Sequence, residues 1–300
     1  MQNSKRNEFW YANDVPNSTD FKKTLISVDS RFKENPYDTP SNFYYRPAYP
    51  LKNIVRIKLV SGEIPNVWYA FSSTRKNTSF HIQMVTSGFE YLVVIDDGNY
   101  TLGATSTNLL DAIQFELDKI NTVEGTDLKI QLDPVRTQIV IFDDSATPQE
   151  FILDFSQIRA DRANDWGLGY ALGFRYRKYG EGSRYLAEAP PDTLIDTYVL
   201  LQVNDYESFQ QNSGSIGVFA FGKITIKEDK YNIIFADDDG TLYTREFIFP
   251  KPANIPRFHI RLLDMYGEEI PMRMVNINVT FEITEVTNAS VYKQYLSYNP

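Results

Sequence analysis

The last third of this chain is strand after strand. Apolar runs fall at 194–203, 218–226, 231–235, 246–249, 257–263 and 274–283, each built from Val, Ile, Leu, Met, Phe or Tyr. β-branched and aromatic side chains suit a pleated, half-buried surface. Turn formers such as Asp237-Asp238-Asp239-Gly240 and Tyr266-Gly267 divide the runs. Many short strands with regular turns predict two packed sheets, a sandwich or jelly roll.

The front half reads similarly, with one exception. In residues 52–73, Ile54, Val55, Ile57, Leu59 and Val60 predict a strand, Gly62 and Pro65 a break, and Val67 to Phe71 a second strand. Residues 79–85 and 89–95 flank Thr86-Ser87-Gly88 as a hairpin should. The exception is a helix: Leu109, Leu110, Ile113, Leu117 and Ile120 recur at helical spacing, with Thr107 or Asn108 placed to cap the start and Asn121 and Gly125 to end it. Strands resume at 128–132, 138–142 and 150–155, so residues 90–174 read as an α+β insertion. The expected fold is mainly β: one or more jelly-roll-like sandwiches with a small α+β insertion and extended terminal arms. The expected divisions are an arm at 1–50, a β domain with one amphipathic helix at 51–174, a loop or linker at 175–192, a second β region at 193–285 and a tail at 286–300.

Charge narrows the functional classes. The formal net charge is −9, yet residues 1–90 hold 12 Lys+Arg against 8 Asp+Glu. Nucleic acid binding rests on a dense basic surface, so an acidic body with a mildly basic front third predicts no nucleic-acid partner. The basic end is instead suited to acidic neighbours, including copies of the same chain. There is no cysteine, no signal-peptide-like start and no apolar run of membrane-spanning length. This predicts a soluble protein made in the cytoplasm. Asn-x-Ser/Thr triplets at Asn17, Asn77, Asn99, Asn278 and Asn288 carry little weight in such a chain.

Known chemistries find poor footing. His81 and His259 each sit between apolar neighbours in strand patterns and read as structural. Zinc would require a His/Cys cluster, and the runs Asp96-Asp97 and Asp237 to Asp239 form turns rather than alternating calcium ligands. The glycines of 165–174, DWGLGYALGF, lie in an aromatic bend and lack the strand and helix of a dinucleotide loop. The reading is therefore no enzyme, no cofactor and no metal. What remains are contact-making aromatics. The interface candidates are Trp10, Tyr11, Tyr44, Tyr45 and Tyr49 in the arm, Arg175, Tyr176, Arg177 and Tyr179 in the basic segment 174–185, and Tyr292 and Tyr295 in the tail, because Tyr, Trp and Arg are the residue types enriched at interfaces.

Three segments carry a resemblance, ISVDSRFKENP at 26–36, residues 54–73 with LVSGEIPNVWYAFSS followed by NTSFHI at 77–82, and DWGLGYALGF at 165–174, together with GNYT at 98–101. In order and wording they resemble a family of minor capsid proteins of giant nucleocytoplasmic DNA viruses, over about residues 26–205. Gly103-Ala104-Thr105 departs from that pattern as extra length before the helix. The resemblance implies a virion structural protein without enzymatic activity, made in the host cytoplasm and placed under or between major capsid capsomers. Its implied partners are major capsid protein, other minor capsid proteins and copies of itself, with membrane contact left open. Two other readings stand beside it: a virion surface protein that binds or cleaves cell-wall carbohydrate, and an internal protein that holds the genome or membrane through 174–185. The first differs in where Trp68, Trp166, Tyr44 and Tyr45 sit: in an open cleft if carbohydrate is the ligand, against protein if the role is structural.

Overall fold

The computed structural model describes residues 21–103, 106–156, 165, 167–213, 216–235 and 246–287. The chain divides into two units, residues 1–68 with 197–300, and residues 69–196. In chain order the first unit opens with β1 (Phe21–Asp29), β2 (Asn42–Tyr45) and β3 (Leu51–Pro65). The second unit supplies β4 (Ser79–Met84), β5 (Glu90–Val94), α1 (Leu109–Glu124), β6 (Leu128–Asp133), β7 (Gln138–Asp143), β8 (Phe151–Asp154), α2 (Leu168–Ala171), β9 (Lys178–Gly182) and β10 (Arg184–Leu186). The first unit then resumes with β11 (Tyr198–Val203), β12 (Phe209–Ser213), β13 (Ile216–Ala220), β14 (Gly222–Thr225), β15 (Ile233–Phe235), β16 (Glu246–Ile255), β17 (Phe258–Leu263) and β18 (Asn278–Val286).

Two antiparallel sheets make the first unit. One runs β1-β18-β3 and then β15 and β16, which share the far edge of β3; the other runs β14-β11-β17-β2. Taking β15 and β16 as one position and setting aside the β12–β13 hairpin, eight positions follow in sequence order. The sheets then read 1-8-3-6 and 5-4-7-2, so every connection but one crosses from sheet to sheet. That is the double Greek key of a jelly roll, with the whole second unit inserted between its third and fourth strands. The core lies between the sheets: Phe258 stacks on Phe281 at 5.7 Å, and Phe221 meets Phe281 edge-on at 5.8 Å. On the outer side of β11 and β17, Leu200 and Leu263 are covered by Val218 and Ala220 of the β12–β13 hairpin.

Residues 21–29 and 42–45, expected in an extended arm, are instead strands of this roll. β1 pairs with β18 along all of its residues, Phe21 opposite Val286 to Asp29 opposite Asn278. Only its last turn of sequence looks buried, and its partner lies some 250 residues away, so no local pattern announces it. β3 corrects the expected break at Gly62. The strand continues through Gly62, which faces Val279, and keeps its apolar side inward by skipping a residue twice. Leu59 faces Phe281 and Ser61 faces Thr280, leaving Val60 as a bulge; a second irregularity falls at Val55. A bulge shifts alternation by one, which is how Ile57, Leu59, Gly62 and Ile64 all end buried. β16 carries Pro250 and Pro252 where its register with β3 shifts, at a sheet edge, where a missing N–H breaks no ladder.

The second unit wraps one core with two sheets, β5-β4-β8-β9 and β10-β7-β6. Helix α1 packs on both β5 and β6 and turns Leu109, Leu110, Ile113, Leu117 and Ile120 into that core. Asn108 Oδ1 accepts the Leu110 N–H at 3.1 Å, and Gly125 closes the helix in the left-handed region. The expected boundaries near 50, 174 and 192 therefore differ from those observed. The chain changes core within two residues, Trp68 entering the first and Ala70 and Phe71 the second. No Gly/Ser-rich linker marks the place. Residues 175–192, expected as a loop or linker, contain β9 and β10. Truncating the central ring of the first unit, Phe281→Ala, is expected to cost about 3–5 kcal/mol; urea unfolding of the full chain, followed by far-UV circular dichroism, measures it.

Candidate interaction surfaces

Of the expected interface residues, Trp10, Tyr11, Tyr292 and Tyr295 lie outside the described residues. The other seven are divided between the two units, three in the first and four in the second. Tyr44, on the outer face of β2, stacks on His259 at 4.2 Å, with the Arg257 guanidinium 4.3 Å from its ring centre. His259 Nε2 and Asn42 Oδ1 are 2.9 Å apart. Burial first, then the charges of Arg261 and Arg257, push the His259 pKa down, which favours a neutral ring that donates to Asn42. Tyr45 alternates to the other face, opposite Phe258, and packs on the core. Tyr49 is 83% exposed.

The segment 174–185 turns most of its chemistry inward on the second unit. Tyr179 meets Phe155, Phe174 and Tyr185 edge-on at 6.2, 5.3 and 5.7 Å. Its hydroxyl donates to Glu188 Oε2 at 2.6 Å, and burial followed by that carboxylate pushes its pKa up. The Tyr185 hydroxyl faces the carbonyls of Phe151, Gly180 and Gly182, and burial pushes it up to about 12. Arg175 lies over the Tyr170 ring at 4.1 Å and donates to the Tyr170 carbonyl at 2.8 Å. Arg177 is half-buried. Tyr176 is 62% exposed, the one strongly exposed ring of this group.

The bend before this segment is set by close backbone approach. Gly167 has φ 70, and a Cβ there would lie 2.4 Å from the Lys76 carbonyl; Gly173 has φ 96, with the Ala189 carbonyl 2.0 Å from where a Cβ would be. Only glycine fits either place. Between them Leu168–Ala171 form the single turn of α2, so the segment is not the helix-free bend that the sequence suggested.

Sequence reasoning missed the buried polar links that close the second unit. Arg75 donates to Asp196 through both terminal nitrogens, at 2.6 and 3.2 Å, with side chains only 8% and 3% exposed. The pair joins the first and last stretches of residues 69–196. Asn77 accepts from the Ser72 N–H at 2.7 Å and donates to the Ala70 carbonyl at 2.8 Å, while Asn99 accepts from the Ala70 N–H at 2.8 Å. Two of the Asn-x-Ser/Thr triplets are thus built into the fold. An acid accompanies His81: Glu90 Oε1 lies 2.9 Å from its Nδ1. It comes from the neighbouring strand, invisible to spacing. The test set by Trp68, Tyr44 and Tyr45 also has an outcome. Trp68 is fully buried beneath the Lys230 ammonium, 4.6 Å from the ring centre, and both tyrosines lie against protein. Trp166 is outside the described residues.

No family model matches the chain, and no curated protein matches it. Among solved structures, the mavirus penton protein aligns with a TM-score of 0.46 and 10% identity, covering 88% of this chain and 98% of that one.

Four carboxylates make folding pH-dependent. Bonds from Arg31 hold the Asp29 pKa down. Burial would raise those of Asp143, Asp154 and Glu269, but donors around each outweigh it and leave all three lowered: Gln149, Asp127 and Ser145 at Asp143, Ser156 and Lys178 at Asp154, and Thr39, Asn42 and Ser41 at Glu269. A carboxyl depressed by folding adds stability above its unfolded pKa, and that stability drains as pH falls through the folded one. With ordinary aspartates near 3.8, the urea midpoint is expected to decline steadily below about pH 4. Asp143→Asn should lower stability at neutral pH yet flatten part of that decline. An unchanged acid slope in this variant would remove Asp143 from the account.

Proposed function

We propose that this chain is a structural protein of the shell of a large icosahedral DNA virus, a minor capsid component that bridges or cements major capsid capsomers. The observation that carries the reading is the jelly-roll strand order of the first unit with a complete second unit set between its third and fourth strands. Jelly rolls recur in viral capsids, lectins and cupins, so the fold narrows the choice without making it. A cupin-type or enclosed-ligand role fits poorly with an interior packed by Phe221, Phe258 and Phe281. A carbohydrate platform fits poorly with Trp68 and Tyr45 turned into protein. The sequence resemblance over residues 26–205 then favours the capsid. In this reading the role is mechanical rather than catalytic, the partners are major capsid protein and other minor capsid proteins, and the place of action is the virion.

Cross-linking mass spectrometry on whole particles tests it. Links from Lys22, Lys23, Lys52 and Lys178 to major capsid protein or to sister copies are the expected result. A protein stripped by mild detergent with no such links, or one showing tight glycan binding that depends on an exposed ring such as Tyr176, overturns the shell role in favour of a host-surface one.

A further inference from the structure

The outer face of the β14-β11-β17-β2 sheet is covered by the β12–β13 hairpin at Leu200 and Leu263. Toward β2 the same face carries Arg257, His259 and Arg261, the first immediately before β17 and the others within it. Side chains two apart share one face of a strand and stand about 7 Å from one another. The series Arg-x-His-x-Arg therefore presents its three heads in a line about 13 Å long.

These heads lack counter-charge. Arg257 is exposed, with its guanidinium against the Tyr44 ring, and Arg261 is half-buried, with Nη1 donating to Gln202 Oε1 at 2.9 Å. Neither forms an ion pair with a described residue. The neighbouring carboxylates are already held. Glu269 accepts from Thr39, from Ser41 at 2.9 Å and from Asn42 at 3.1 Å, and Asp38 accepts from Asn35 at 2.7 Å. His259, when neutral, donates its Nε2–H to Asn42, so a further proton enters at Nδ1. The charges of Arg261 and Arg257 oppose that proton, and that of Asp38 favours it. The other groups around the ring, Tyr44 and Asn42 on one side and Gln202 and Asn204 on the other, carry no charge at neutral pH. In a chain of formal net charge −9, this row of cations is complementary to an anionic partner with the same step.

We propose that this face of the first unit docks an extended acidic segment of a partner protein, with carboxylates at alternate positions opposite Arg257, His259 and Arg261. Acidic side chains at i, i+2 and i+4 of an extended chain fall on one side with the spacing of the β17 side chains. On a helix, i+2 does not face i. Each arginine fork suits a carboxylate, which it meets with two hydrogen bonds. A nucleic acid strand also carries regular anions, but its unbroken charge is repelled by Asp38, Glu269 and the acidic chain as a whole. Bound carboxylates offset the two arginines and favour the imidazolium, so binding takes up a proton at His259. Affinity therefore rises as pH falls, the gain starting at the higher pKa of the bound state and ending below the lower one of the free state. The proposal stands independently of the shell reading.

A labelled peptide, Asp-Thr-Asp-Thr-Asp-Thr-Asp, titrated into the full chain at low salt and followed by fluorescence anisotropy, tests this. Saturable binding is expected, weakened about tenfold or more when Arg257→Glu and Arg261→Gln are combined. Because Arg257 is exposed, Arg257→Glu alone should leave the melting temperature unchanged and still weaken binding several-fold, which keeps the test decisive if the double variant is less stable. Binding should tighten several-fold between about pH 8 and about pH 5.5, and His259→Gln should abolish that gain. A peptide of the same composition with its aspartates contiguous should bind several-fold more weakly. Absence of saturable binding up to about 1 mM, equal affinity for the arginine variants, or equal binding of the contiguous peptide overturns the proposal. An affinity that does not change with pH overturns the part given to His259. Tighter binding of an oligothymidylate than of the peptide, lost in the same variants, overturns the acidic segment in favour of a nucleic acid.

Discussion

An inserted unit can be accommodated between two strands of a jelly roll only if it brings its own ends together. In this protein the Arg75–Asp196 pair meets that constraint, fixing the first and last stretches of residues 69–196 to one another. The pair is buried and bidentate, a geometry in which both charges keep most of the hydrogen bonds that water would have supplied. Removing one partner of a buried ion pair generally costs about 3–5 kcal/mol, whereas replacing both with apolar residues is often neutral. Its worth is thus less in net stability than in specifying where the unit closes. The Asn77 and Asn99 contacts to Ala70 and Ser72 reinforce the same stretch.

With that closure in place, each unit is free to solve its own packing problem. The first does so with aromatic rings between two sheets and with bulges that correct the alternation of β3. The second uses a helix in place of further strands, α1 lying against both β5 and β6. Among the described residues the two cores share no buried side chain, which makes the abrupt change from Trp68 to Ala70 intelligible: neighbours in sequence belong to different interiors.

Elements whose signal is local were legible in the sequence. The helix announced itself through five apolar positions and two caps, and the β4–β5 hairpin through its turn. Elements defined by distant partners were not. β1 shows few inward apolar residues and owes its place to β18; β3 looked broken at Gly62 because a bulge disguises its period; β16 hid behind two prolines that only an edge tolerates. The surface was harder still. Tyr44, Tyr45 and Tyr179 belong to types that favour interfaces, yet each found an internal use, in a stack with His259, in the core beside Phe258 and in a hydrogen bond to Glu188.

The closed ends of the inserted unit also bear on how the roll assembles. Joining β3 to β11 across an unstructured stretch of roughly 130 residues would carry a loop-closure entropy growing as the logarithm of its length. Once residues 69–196 have folded and Arg75 has met Asp196, the jelly roll experiences only the few residues on either side. Relative to the open stretch, that shortening is worth about 2 kcal/mol. The insertion thereby changes from an obstacle to the third and fourth strands into a short, preformed bridge between them, and the order in which the two units fold becomes a matter of entropy rather than of contact.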